Sequence, residues 1–240
     1  MTENEKIKVF QDYYRQAKKI VFFGGAGVST ESGIKDFRSK DGIYQEKGNF
    51  PPERILSHSF FQLHPYQFFQ FYKEKMDSRN ASCNETHRKL KEWEKEKDVT
   101  IITQNIDGLH QKAGSTMVLE LHGSIYQNNC VKCQRTYPCE KVFDCAERIP
   151  TCSCGGIIKP NVILYEEALD EKVVALAIQK MQEADLLIIA GTSLSVYPAC
   201  TLIDFFQGDH IVLINQEKTP YDKKADLVFH SRLGRIMNKM

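Results

Sequence analysis

Residues 20–33 read IVFFGGAGVSTESG. Four apolar residues, Ile20-Val21-Phe22-Phe23, run straight into a glycine-rich turn. An unbroken apolar run of this length suits a strand covered on both faces, as in a parallel sheet. Glycines at its end let backbone amides approach a pyrophosphate, and a helix start beyond them adds a favourable dipole. Gly25-Ala26-Gly27 matches the opening of a dinucleotide fingerprint, but Thr30 stands where the third glycine belongs. The absence of G-K-[ST] argues against a triphosphatase loop. Without a ligand the same residues would make a tight strand-to-helix turn. An ordinary Rossmann site also places an acidic residue about 20 positions on, to hold the ribose. Glu46 could be counted, but its surroundings do not read as the end of a second strand. A simple dehydrogenase is therefore disfavoured.

Working outward, further short apolar runs follow: VTIIT (99–103), LLIIAG (186–191), IVLIN (211–215) and ADLVFH (225–230), with MVLELHG (117–123) as a sixth strand. Helical patterns lie between them. Ile7, Phe10, Tyr13, Tyr14 and Ala17 share one face of a helix over residues 3–18. Residues 84–97 and 170–184 predict two more helices, the second N-capped by Asp170. Strands alternating with helices predict an α/β fold, a Rossmann-like doubly wound parallel sheet. Such sheets bind ligands where the carboxyl ends of their strands open into a crevice. Two stretches break the alternation. Residues 39–83 are rich in aromatics, and 125–160 hold six of the eight cysteines. They predict a smaller inserted lobe, part helical and part metal-binding. The large domain then comprises residues 1–38, 84–124 and 161–240.

The chain has 240 residues, 42% of them hydrophobic, enough for one large core. Its 32 basic and 31 acidic residues balance, which gives no general attraction for nucleic acid or an anionic membrane. No run approaches the ~18 apolar residues of a membrane span, and the charged N-terminus has no signal core. A cytoplasmic, monomeric protein is expected. In that setting clustered cysteines bind metal more often than they form disulfides. Cys130-Val-Lys-Cys133 and Cys152-Ser-Cys154 suit a tetrahedral thiolate zinc site. The second pair is one residue short, and Gly155-Gly156 supplies the freedom a tighter turn needs. Cys139 and Cys145 are alternative ligands. Four thiolates leave no open position, so the metal would be structural.

Polar residues gather where strands end. Gln104-Asn105-Ile106-Asp107 follows VTIIT, Gly191-Thr192-Ser193 follows LLIIA, and Asn215 follows IVLI. Burying such groups is costly without partners, which points to a ligand or to a capped loop. His122, in LEU-HIS-GLY order after a strand, is a candidate general base, although a lone histidine is more often structural.

Taken together, GAGVSTESGIKDFRS (25–39), TQNIDGLHQKAG (103–114), ELHGS (120–124), the cysteine pairs, KPNVILYEE (159–167), GTSLSVYPA (191–199) and IN (214–215) resemble the sirtuins, in the family's order. The resemblance implies an NAD-dependent protein lysine deacylase, which consumes NAD. It implies that Gly25, Ala26, Gly27 and Thr30 lie against the phosphates, and that Phe37 covers the reacting ribose with Arg38 steadying the loop or a phosphate. Asn105, Ile106 and Asp107 would form the nicotinamide pocket, and Gln104 would hold the ribose. His122 would be the base, with Asn105 beside it. Gly191, Thr192, Ser193 and Asn215 would serve the adenosine half. An acyl-lysine peptide would add as a strand between Val162-Ile163-Leu164 and the segment near Val196, mostly by backbone hydrogen bonds.

The chain departs from the family pattern at several points. Lys35 replaces a usual proline, which frees that backbone. Tyr165-Glu166-Glu167 stands for a usual Phe-Gly-Glu. Members that prefer succinyl or malonyl groups carry a Tyr-x-x-Arg pair, for which Tyr72 and Lys75 stand here. Lysine lacks arginine's bidentate fork, and Tyr72 sits among many aromatics, so acetyl or apolar acyl groups are the expected substrates. Two other functions share parts of the signature. A protein mono-ADP-ribosyltransferase would pass the same cleaved NAD to a protein nucleophile. A zinc-ribbon module would bind nucleic acid without turnover, against the balanced charge.

Overall fold

The computed structural model describes residues 1–39, 41–45 and 49–240. Glu46 lies outside them. The strands are β1 (Lys19–Gly24), β2 (Asp98–Thr103), β3 (Val118–Glu120), β4 (Gly123–Cys130), β5 (Thr136–Pro138), β6 (Ile158–Val162), β7 (Leu186–Ala190), β8 (His210–Ile214) and β9 (Leu227–Phe229). The α-helices are α1 (Glu3–Gln16), α2 (Pro52–Ile55), α3 (His58–Leu63), α4 (Pro65–Lys75), α5 (Glu85–Trp93), α6 (Leu109–Lys112), α7 (Glu140–Phe143), α8 (Glu171–Glu183) and α9 (Leu233–Met237).

Six strands form one parallel sheet in the order β3-β2-β1-β7-β8-β9. From β1 the chain steps outward to β3, and from β7 it steps outward the other way to β9. The order therefore reverses between β1 and β7, where doubly wound sheets open a crevice. Every strand that the apolar runs predict is present. All five residues of β7 are buried, as are the last five of β1 and of β2.

Both faces of the sheet are covered. On one face Phe10 of α1 and Trp93 of α5 pack with Phe22, Ile101, Ile188 and Ile214. On the other, Ala177 and Met181 of α8 pack with Phe23, Ile102 and Ile189. Alternate residues of β1 thus serve opposite cores, the period-two geometry of a strand. Truncating a large aromatic such as Phe22 should cost about 3–5 kcal/mol. Asp170 caps α8 through the amides of Lys172 and Val173, as its position in the sequence predicts.

The helix expected over 84–97 is shorter. Asn84 caps it, and its regular part stops at Trp93, with residues 94–97 in turns. The chain has to reverse there to enter β2, whose Asp98 amide bonds the Lys18 carbonyl at 2.9 Å. The two inserts share a third core. Phe60, Phe61, Phe68, Phe69 and Tyr72 pack with Ile125, Val142, Ile158 and Val162. This lobe carries a small antiparallel sheet in the order β5-β4-β6.

Candidate functional site

Parallel strands bring all their carboxyl ends to one edge, so residues distant in sequence meet there. The turn after β1 crosses the start of the loop after β7. Gly27 N–H donates to the Gly191 carbonyl at 2.8 Å, and Gly25 N–H donates to Ala190 at 3.1 Å. A Cβ on Gly27 would stand 2.7 Å from the Gly191 Cα. One on Gly191, at φ +57°, would stand 2.5 Å from the Val28 amide nitrogen. Glycine is required on both sides of this contact because backbone meets backbone. The turn then continues in short 3-10 helices over Ala26–Val28 and Thr30–Ser32, and the Thr30 hydroxyl bonds the Gly27 carbonyl at 3.0 Å.

The residues after β2 are tied to this turn. Gln104 N–H donates to Gly24 O at 2.9 Å, and its side-chain amide donates to the Thr192 hydroxyl at 3.1 Å. Asn105 Nδ2 donates to Ser29 Oγ at 3.0 Å, and Ser29 Oγ donates to Asp107 Oδ2 at 2.6 Å. Asp107 also receives the Leu109 amide at 2.9 Å. Burial raises the Asp107 carboxyl above its usual range, while the Ser29 and Leu109 bonds pull it back. The chain Asn105–Ser29–Asp107 fixes the orientation of both side chains. Ser29 is buried and was missed in the sequence, where nothing in its spacing sets it apart from the turn.

His122 follows β3, and its Nδ1 lies 2.9 Å from the Gln104 carbonyl oxygen. A carbonyl only accepts, so Nδ1 carries the proton and Nε2 of the neutral ring holds a lone pair. Burial lowers the His122 pKa and the bond to Gln104 raises it by less. The backbone carbonyl of His122 receives the Ile163 amide at 2.9 Å. The Val162–Leu164 strip is thus held against the residue that bears the imidazole. Glu120, two residues before His122, was also missed. Its burial pushes the carboxyl up to about 7, against a lowering bond from Gln111.

The other candidates stand in different surroundings. Ser193 is exposed and bonds Ser195, and the Asn215 side chain bonds the Glu217 carbonyl at 2.8 Å. Phe37 and Ile106 pack against the small-lobe core, while Arg38 is exposed with its guanidinium 5.4 Å from the Tyr44 ring centre. Tyr72 is fully buried, stacked between Phe68 and Phe143, with no hydrogen-bond partner for its hydroxyl among the described residues. It belongs to the packed interior of the lobe. Glu166 takes φ +74°, the left-handed region that favours glycine. Its carboxylate meets the amide and hydroxyl of Ser59 at 2.9 and 3.0 Å, which offsets the strain.

In the small lobe the sulfurs of Cys130, Cys133, Cys152 and Cys154 all lie within 4.8 Å of one another. Cys130–Cys154 and Cys133–Cys152 are 3.4 and 3.6 Å apart. A tetrahedron of ~2.3 Å zinc–sulfur bonds has edges of about 3.8 Å, so the four thiols fit a structural zinc. The short Cys152-Ser-Cys154 pair is accommodated by Gly155 at φ +79° and by Cys152 N–H donating to Gly156 O at 2.8 Å. Cys139 and Cys145 instead bond the carboxylates of Glu140 and Glu147, so neither replaces a ligand.

Comparison with known proteins identifies the family. The model of the Sir2 family matches residues 25–198. A protein of Clostridium perfringens named NAD-dependent protein deacetylase is 50% identical over 244 residues, covering 99% of both chains. One of the same name from Clostridium acetobutylicum is 49% identical, covering 97% of both. A solved Sir2 with a p53 peptide and NAD+ superposes with a TM-score of 0.87 at 34% identity, over 97% of this chain and 96% of that one. A Sir2 bound to acetylated peptide also gives 0.87, at 33% identity and the same coverage. With the turn, the strand-end polar groups and the four-cysteine lobe all in place, the chain belongs to the Sir2 family.

Proposed function

We propose that this protein is an NAD-dependent protein lysine deacetylase. Acyl-lysine peptide and NAD meet at the carboxyl edge of the sheet and leave as free lysine, nicotinamide and O-acyl-ADP-ribose, with one water consumed. The observation that carries the reading is the orientation of His122. Its Nδ1–H is held by Gln104 O, so Nε2 is left as the proton acceptor. The same residue's carbonyl holds Ile163 of the strip that receives the peptide.

Each group then has a task. Gly25, Ala26, Gly27 and Thr30 face the pyrophosphate. Gly191, Thr192, Ser193 and Asn215 serve the adenosine half, and Gln104 holds the nicotinamide ribose. Asn105, Ile106 and Asp107 take the nicotinamide, their geometry set by Ser29. The acyl carbonyl oxygen of the lysine attacks the anomeric carbon, and nicotinamide leaves with the electrons of the broken glycosidic bond. His122 Nε2 then accepts a ribose hydroxyl proton, and that oxygen attacks the imidate carbon; the adduct expels lysine as the amine, water adds to the same carbon, and its bond to the anomeric oxygen opens to leave the acyl ester on the ribose hydroxyl. Phe37 covers the ribose and limits the return of nicotinamide. The zinc, with four thiolate ligands, holds the small lobe together and takes no part in these steps.

Acetyl is the expected acyl group. Tyr72 is locked in the lobe interior, and the chain carries Lys75, paired with Glu74 at 2.9 Å, where a fork would be needed. Purified protein, NAD and a panel of acetyl-, succinyl- and long-chain acyl-lysine peptides test this. NAD-dependent loss of acetyl is expected to be fastest. Succinyl removal at an equal or higher rate would overturn the acyl preference, and intact peptides throughout would overturn the function.

A further inference from the structure

One contact between the loop that carries Phe37 and the residue after the Val162–Leu164 strip is not used by the reaction above. The hydroxyls of Tyr44 and Tyr165 are 2.7 Å apart. They belong to segments with different tasks, 121 residues apart in the chain.

Tyr165 stands on a fixed platform. Its amide donates to Leu56 O at 3.0 Å, and its carbonyl accepts from the His58 amide at 2.9 Å. Glu166, next along, grips Ser59 through both carboxylate oxygens. Glu167 accepts from Lys159 Nζ at 3.0 Å and from the Leu164 amide at 2.9 Å, and it meets His58 Nδ1 at 2.8 Å. Leu164 ends the strip that begins at Val162. The strip and Tyr165 are therefore one braced unit.

Tyr44 belongs to the loop that carries Phe37 and Arg38. Its amide bonds Phe37 O at 2.9 Å, and the Ile43 amide bonds Asp36 O at 2.9 Å. The rings of Phe37 and Tyr44 are 5.3 Å apart, and Arg38 lies over Tyr44. Whatever fixes Tyr44 also fixes the residue placed over the reacting ribose.

We infer that Tyr165 is a positioning residue that ties the cofactor loop, through Tyr44, to the strip that receives the acyl-lysine peptide. The inference rests on the deacetylase reading for the identity of the two ligands. It makes peptide binding and NAD binding cooperative: a peptide that orders the strip also orders the loop. A hydroxyl-to-hydroxyl bond can transmit this because each ring is held by its own backbone contacts.

Tyr165→Phe removes the oxygen and leaves the ring, so the fold should persist. Hydrogen–deuterium exchange is compared between wild type and variant, in peptides covering residues 36–45 and in peptides covering β1 and β7. Faster exchange confined to 36–45 is expected, with KM for NAD raised roughly three- to ten-fold at little change in kcat. Tyr44→Phe should give the same exchange change, and the double variant should add nothing to it. Unchanged exchange in 36–45, or additive effects of the two substitutions, would overturn the tether. Failure of the wild type to turn over NAD with any acyl-lysine peptide would overturn the deacetylase reading instead, and the exchange comparison would still decide the tether.

Discussion

His122 Nδ1 lies 2.9 Å from the carbonyl oxygen of Gln104, the first residue beyond β2. One hydrogen bond thereby sets the tautomer of the imidazole and ties β3's end to the β2 loop that holds Asn105 and Asp107. His122→Ala should lower deacetylation by ~10²–10⁴-fold. Exchange of labelled nicotinamide into NAD, which precedes the proton transfer, should survive. Equal loss of both activities would show that His122 acts before the glycosidic bond breaks.

The pH dependence follows from the same group. The base must be neutral to work, and burial lowers its folded pKa below the ordinary 6.5. Activity should therefore be level through neutral pH and fall on an acid limb that lies below the normal histidine range. A kcat/KM profile with its acid limb at 7 or above would contradict this assignment.

Two other histidines make the fold sensitive to acid. His87 and His110 are buried with ring centres 4.6 Å apart. Burial, then Arg88, lowers His87 to about 4, and burial, then His87, lowers His110 to about 3. Folded values lie below the unfolded 6.5, so the unfolded chain takes up protons first and acid favours unfolding. Stability should fall as pH drops below about 6.5, by up to ~1.4 kcal/mol per pH unit for each histidine, until about pH 4 for His87 and pH 3 for His110. Denaturant melts from pH 7 to 4.5 measure the slope. His110→Leu should lower it by about 1.4 kcal/mol per pH unit between pH 6.5 and 4.5, and an unchanged slope would assign the effect elsewhere.

Metal removal should act on structure before chemistry. Elemental analysis should give one zinc per chain. Chelation, or Cys152→Ala, should lower Tm and expose the remaining thiols to a thiol reagent, because the four sulfurs hold β4's end to the turn before β6. A zinc-free protein with unchanged Tm would remove the structural role.

Glu166 carries a measurable strain. Glu166→Gly relieves φ +74° but loses the Ser59 contacts, whereas Glu166→Ala keeps the strain and loses them as well. The alanine variant should be less stable than the glycine variant by about 1 kcal/mol in denaturant melts. The reverse order would mean that the backbone there is not strained.

Much of this was legible in the sequence, for physical reasons. A strand covered on both faces has to be apolar throughout, so IVFF, LLIIA and IVLI announce themselves. Their parallel order then places Gln104, His122 and Gly191 at one edge without any knowledge of contacts. The zinc site was legible because ligand spacing along the chain is tightly constrained by the metal. Other features left no local trace. β4 and β6 contain Asn128, Asn129 and Pro160 and have no clean alternation, since they pair in a small sheet beside the four-cysteine cluster. Ser29 looks like any turn serine until the fold sets it between Asn105 and Asp107. The Tyr44–Tyr165 contact depends on the first insert meeting the segment that follows β6, which spacing cannot express. Helix α5 ends early because the chain must turn into β2, a tertiary demand that overrides a good helical pattern.

In the proposed reaction NAD is cleaved in order to receive the acyl group. The most direct test follows an isotopically labelled acetyl group from an acetyl-lysine peptide by mass spectrometry, in wild type and His122→Ala. The wild type should give equal amounts of nicotinamide, free-lysine peptide and labelled O-acetyl-ADP-ribose, with none of the last from the variant. Label recovered wholly as free acetate from the first moments of reaction, or ADP-ribose attached to protein with the peptide intact, would contradict it.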